Sequence, residues 1–152
     1  MNDFKAIASE LGLESVSTLL ASGNLLFKSR QSEQVLQVGL EQRVKQHMAK
    51  DVRVFLRTAA EMNAVRQNNP FPEVPGNSVQ AFFLDEQPPA NLLETVRNQD
   101  DERIAAGVRE VYVAYGEKGI GRSRLRIPAA EAGTARNMNT VARLAELARE
   151  IS

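Results

Sequence analysis

Four basic side chains and three glycines share the stretch Gly116-Glu117-Lys118-Gly119-Ile120-Gly121-Arg122-Ser123-Arg124-Leu125-Arg126. Glycine has no Cβ, so its backbone N–H can turn toward an anion, and adjacent cationic side chains deepen such a nest. Lys118, Arg122, Arg124 and Arg126 against Glu117 leave a local charge of +3. The spacing is not that of a P-loop, because no Gly-Lys-Ser/Thr closes it. The same residues also suit a solvated connecting loop with ordinary turn glycines.

A second constellation follows in Thr134-Ala135-Arg136-Asn137-Met138-Asn139-Thr140, at the entrance to a final helix. Thr134 or Asn137 suits the N-cap, where a short polar side chain accepts a free backbone N–H. Arg136 and Asn139 suit an anion held at the helix N-terminus, where the dipole and unpaired N–H groups converge. Together, Gly119, Gly121, Arg122, Arg124, Arg136 and Asn139 form the candidate ligand-binding set. The chemistry they fit is an anionic ligand: a nucleotide, a phosphorylated metabolite or RNA. No cofactor is expected.

Other chemistry is poorly supplied. The chain has no cysteine and one histidine, His47. Thiolate zinc sites, disulfides and cysteine nucleophiles are excluded, and a histidine-based triad or multi-histidine metal site is nearly so. Ser22-Gly23-Asn24 reads as turn chemistry rather than a nucleophile. Asp85-Glu86 and Asp100-Asp101-Glu102 could offer oxygen ligands to Mg²⁺, but acidic residues beside strand ends and helix starts read first as surface groups. No catalytic residue and no metal site is assigned. An enzyme working in a cleft between two halves, with or without help from a metal ion, is the alternative reading.

The chain's 152 residues suit one ordinary domain or two very small ones. Nineteen basic residues balance nineteen acidic ones, so only local clusters can attract nucleic acid. Aromatics are 5% and tryptophan is absent, which leaves few platforms for stacking bases. No apolar run reaches the roughly 20 residues of a membrane span. The first residues, Met1-Asn2-Asp3-Phe4-Lys5, lack a signal-peptide pattern. A cytoplasmic location follows as the expectation, with the oligomeric state open.

These groups need a scaffold. Phe4, Ile7, Ala8 and Leu11 predict a helix over residues 3–11, stopped at Gly12. Val16–Ala21 and Leu25–Phe27 flank the turn at 22–24, a hairpin. A helix over 32–49 follows, with Val35, Val38, Val44 and Met48 as its apolar stripe and Leu36 and Leu40 beside it. Asp51 to Arg57 alternates like a strand buried on one face. Thr58 and Glu61 have capping-box spacing for a helix to about Gln67. Asn69-Pro70-Phe71-Pro72 ends it, and residues 68–78 form a loop, the candidate linker.

Beyond the linker, Val79–Leu84 predicts a strand. Pro88 and Pro89 open a helix buried through Leu92, Leu93 and Val96. Ile104 sits in a short strand, and Arg109–Tyr115 alternates cleanly. Residues 116–126 form the glycine-arginine loop. The last helix faces inward through Val141, Leu144, Ala145, Leu147 and Ala148. The fold class is α+β. The element order suggests two ferredoxin-like (βαββαβ-type) subdomains in tandem, 1–67 and 79–152, the first without its opening strand. Helices should cover one face of each antiparallel sheet.

Four stretches, in order, resemble the domain-of-unknown-function family 1697. They are Thr18–Phe27, with Ser22-Gly23-Asn24 at its centre; Arg57-Thr58 with Asn69-Pro70-Phe71; Gly119–Leu125; and Gly133–Thr140. The resemblance implies tandem ferredoxin-like subdomains and supplies no activity. Family members usually open with a hydrophobic strand and a glycine-bearing segment before the first helix, whereas this chain opens at the helix. A sheet edge left open by that difference makes self-association through it a third reading. Met138 stands where the family usually has tryptophan.

Overall fold

The structure, a computed structural model, describes residues 2–19 and 23–151, with side chains from Ala6 onward. The expected turn residue Ser22 and the side chain of Phe4 lie outside that description. The chain forms two compact units, residues 1–60 with 144–152 and residues 61–143. The expected linker at 68–78 therefore falls inside the second unit.

The first unit is built from helix α1 (Asn2–Glu10), strands β1 (Glu14–Leu19) and β2 (Asn24–Lys28), and helix α2 (Glu33–Met48). β1 and β2 pair antiparallel, Leu19 opposite Asn24 and Glu14 opposite Lys28, with a bulge between Glu14 and Ser17. Ser15 takes φ 52° at that bulge. α2 starts where Ser32 accepts the Val35 N–H. Ile7, Ala8, Leu13, Leu36, Leu40 and Val44 form the core of this unit.

Two expectations fail here. The buried stripe of α2 is Leu36, Leu40 and Val44; Val35 and Val38 are more than half exposed, and Met48 is also exposed. Residues 36, 40 and 44 recur every four positions and so stack on one face, whereas 35 and 38 begin a different face. Apolar residues all round the helix left the choice to its packing partners. Second, residues 51–58 form no strand. The backbone of Val54 is claimed by α2 instead: its N–H donates to Glu41 Oε2 at 2.8 Å, and its carbonyl accepts from Gln37 Nε2 at 2.9 Å. The alternation still has meaning, because Val54 and Leu56 pack against the same core.

The second unit begins with most of α3 (Ala59–Gln67) and contains β3 (Val79–Phe83), α4 (Leu92–Thr95), β4 (Arg103–Ala106), β5 (Glu110–Ala114), α5 (Gly119–Arg122), β6 (Thr134–Asn137) and the start of α6 (Met138–Ile151). The sheet runs β4-β5-β3-β6, antiparallel throughout. That is the strand order of a ferredoxin-like plait, with β3 as first strand and β6 as last. β6 is a strand that alternation did not reveal, since Thr134–Asn137 is short and polar. It is held by main-chain pairing to β3, Ala81 opposite Arg136 and Phe83 opposite Thr134.

Helices do not cover just one face of this sheet. On one side Tyr112 donates its hydroxyl to the Val65 carbonyl of α3 at 2.8 Å. On the other, Val111 and Val113 pack with Leu84, Leu92, Ile127 and Ala130. The helix expected after Pro88 and Pro89 shrinks to the single turn of α4. Leu92 is buried there while Leu93 is 62% exposed. Residues 68–78 are a packed loop: Phe71 is buried beneath the Arg103 guanidinium, 4.9 Å from the ring centroid.

The assignment of the α2 faces is measurable. Leu40→Ala should cost about 2–5 kcal/mol in denaturant unfolding, whereas Val38→Ala should cost within about 0.5 kcal/mol. Equal effects at the two positions would overturn the assignment.

Candidate functional site

The glycine-arginine loop leaves β5 and is anchored by the acidic turn ahead of β4. Glu102, 4% exposed, accepts the Ser123 hydroxyl at 2.5 Å and the Asp100 N–H at 2.7 Å. Asp100 pairs with Lys118, and Asp101 receives the Lys118 N–H. Gly116 packs close beside this turn, and an added Cβ would displace the Asp101 side chain. Burial alone would push the Glu102 carboxyl up, but the hydrogen bonds from Ser123 and the backbone hold it below its ordinary value. Lys118 is raised by its bond to Asp100. The three carboxylates of the turn thus position the loop, and among the described residues no three or more acidic or histidine side chains cluster as metal ligands would.

Beyond Ser123 the chain becomes extended and meets the segment after α4. Arg97 and Arg126 exchange both backbone hydrogen bonds, at 2.8 and 2.9 Å, as an isolated antiparallel bridge. Such a pair sets its Cα atoms about 5.5 Å apart with both side chains on one side. Leu125 and Val96 are partly buried against the Val111–Val113 core, and Ile127 is buried within it. Arg97, Arg124 and Arg126 are correspondingly exposed. Arg126 binds Glu131 Oε1 through Nη2 at 2.8 Å. The side chains of Arg97, Arg122 and Arg124 have no ion-pair or hydrogen-bond partner among the described residues.

The six residues expected to make one pocket do not come together. Gly119 and Gly121 lie in the single-turn α5, which Arg122 ends. Gly119 has φ +70°, and an added Cβ at either glycine would meet open space. Arg124 follows on the surface. Arg136 is elsewhere: it stands on β6 opposite Ala81, which in turn stands opposite Tyr112, so it shares the α3 side of the sheet. Leu125, which carries the loop, packs on the other side. The Arg136 guanidinium donates to Thr134 Oγ1 at 2.9 Å and the Ala135 carbonyl at 2.8 Å, and burial lowers its pKa. Asn139 lies against Gly76. The α6 start is capped internally, with Asn137 Oδ1 accepting the Thr140 N–H at 2.9 Å.

Arg97 is not among the site residues expected from the sequence. It stands 25 positions from the nearest loop arginine in the chain (122 − 97) and carries no motif. Only the backbone bridge brings it in. His47, expected on a solvated helix face, pairs there with Glu10 at 3.2 Å. The Gly133–Thr140 stretch has a structural explanation. A Cβ at Gly133 would press on the Phe83 carbonyl at 2.5 Å, where β6 enters the sheet. Met138 is buried, 6% exposed, which fits a packing role.

The protein is thus an α+β protein whose second unit has ferredoxin-like strand order. The family model described as "Protein of unknown function (DUF1697)" matches residues 1–112, and the chain belongs to that family. Two of the four resembling stretches, Thr18–Phe27 and Arg57–Phe71, fall within the matched residues; the other two lie beyond them. The chain is also similar to the conserved bacterial protein SP0830 from Streptococcus pneumoniae. That similarity has a TM-score of 0.76 at 21% identity and covers 97% of this chain and 88% of the other. It shows the fold alone. No curated protein matches. Among the described residues no helix is long and apolar enough to cross a membrane.

The Glu102 anchor has a pH signature. A carboxyl held low in the folded state adds stability above its ordinary value of 4.5 and loses it as pH falls through the folded value. Glu102→Gln should therefore cost about 1–3 kcal/mol at neutral pH, and the gap to wild type should close in acid. A gap independent of pH in urea unfolding would overturn this account.

Proposed function

We propose that this protein is a binding module for an anionic ligand: a nucleotide, a phosphorylated metabolite or RNA. One observation carries the reading. Arg97 and Arg126 stand directly opposite across a backbone bridge, with Arg124 two residues along on the same exposed side. Like charges directly opposite are destabilising in a ladder, and Glu131 offsets only Arg126. An anion laid across Arg97, Arg122 and Arg124 would relieve that repulsion and gain charge-assisted hydrogen bonds. Gly119 and Gly121 leave open space above the backbone between them. Arg136 and Asn139 contribute to the sheet and to α6 rather than to this surface.

The enzyme reading has less to stand on. The Asp100-Asp101-Glu102 carboxylates are engaged with Lys118, Ser123 and backbone N–H groups. Self-association through the first unit rests on the two-stranded sheet β1-β2 and has no further support. We also place the protein in the cytoplasm, since a chain without cysteine fits a reducing compartment.

A titration with inorganic phosphate, nucleotides and RNA at low salt tests the binding reading. Arg97→Ala with Arg124→Ala should weaken the binding seen roughly tenfold or more, through lost charge contacts. Arg136→Ala should leave affinity unchanged. Failure of every anion to bind, or undiminished binding by the double variant, would remove the proposal.

A further inference from the structure

Resting on that anion reading, we infer that the arginine surface takes the sugar–phosphate backbone of a nucleic-acid strand rather than a single small phosphate compound. The arginines stand on open surface. Arg97, Arg122, Arg124 and Arg126 are all exposed, whereas a site that holds a small ligand is concave and surrounds most of it. What they offer instead is repetition. Arg97 and Arg126 are directly opposed, about 5.5 Å apart at Cα. Arg124 is diagonal to Arg97, at roughly 7–8 Å. Arg122, the last residue of α5, is exposed two residues before Arg124. Spacings of this order match successive charges along a polyanion, and no single phosphate can reach all of them.

The pairing of neighbouring charges sets the size of the effect. Glu131 takes Arg126, and Lys118 is held by Asp100, which leaves Arg97, Arg122 and Arg124. Three phosphate contacts are few, so the expected binding is weak and strongly dependent on salt. The surroundings also say which part of the polymer is touched. Among the described residues every aromatic side chain is buried or partly buried: Phe27, Phe55, Phe71, Phe82, Phe83, Tyr112 and Tyr115. With no fully exposed ring among the described residues, stacking on bases has little to rest on, and the contact falls to phosphate. Contacts to phosphate fix position and carry no sequence information.

The experiment is fluorescence anisotropy of a short labelled RNA strand with the full chain, in parallel with titrations of a mononucleotide and inorganic phosphate. Binding to the strand should fall about twentyfold between about 50 and about 200 mM salt, the consequence of releasing roughly three contacts from a single strand. Strands of different base composition should bind alike. Arg97→Gln with Arg124→Gln should flatten the salt dependence to about a third of its slope. Lys28→Gln with Arg30→Gln removes the same charge from the first unit and should leave binding unchanged. Circular dichroism of each variant separates loss of binding from loss of folding. A mononucleotide that binds as tightly as the strand overturns this inference while leaving the anion reading in place. A strand that binds both double variants equally, or strong base preference, also overturns it. If neither strand, nucleotide nor phosphate binds, both readings fall together.

Discussion

Every N–H and C=O of β5 that leaves water must find a partner, and β3 and β4 supply them from its two sides. All five residues of β5 are buried, including Glu110. With both edges paired and both faces covered, the strand is a fixed reference for the second unit. α3 is tied to it through the Tyr112 hydroxyl, an anchor buried deeply enough that the phenol is pushed far above its ordinary value. The opposite layer rests on Val111 and Val113. The same need for pairing explains β6. A polar tetrapeptide becomes a strand because the free side of β3 offers it a row of partners.

The first unit meets the same requirement differently. Among the described residues its hairpin has two strands, and residues 51–58 join neither of them. Glu41 and Gln37 from α2 take the N–H and carbonyl of Val54, so side chains stand in for a neighbouring strand at that residue. Hydrophobic packing of Val54 and Leu56 onto the α1–α2 core then holds the segment in place. Apolar alternation and ladder formation are therefore separable: burial of alternate residues needs only a core, whereas a strand needs a partner.

Around the candidate surface, two kinds of charge have been sorted. Acidic residues of the 100–102 turn bind inward, to the backbone, Ser123 and Lys118, and fix the path of the loop. Arginines 97, 122 and 124 are left facing water. Glu102 shows how the two are linked. Its hydrogen bond to Ser123 fixes the residue that stands between Arg122 and Arg124.

The residues alone determined a good deal. The α+β class, the hairpin around Gly23, a helix beginning near residue 32, the β3 and β5 strands and a cap at Thr134 or Asn137 all follow from local periodicity and turn chemistry. So does the exclusion of thiol and multi-histidine chemistry, which needs only a count. Other features were decided by tertiary structure. Which apolar face of α2 is buried depended on the position of α1, since Val35 and Leu36 are equally apolar as letters. Whether residues 51–58 or 134–137 became a strand depended on which had a neighbour with free backbone groups. The arginines of the loop were visible in the chain, but their separation from Arg136 and their meeting with Arg97 were not. Those relations are made by backbone pairing between segments far apart in sequence, and side-chain pattern carries no record of pairing over that distance.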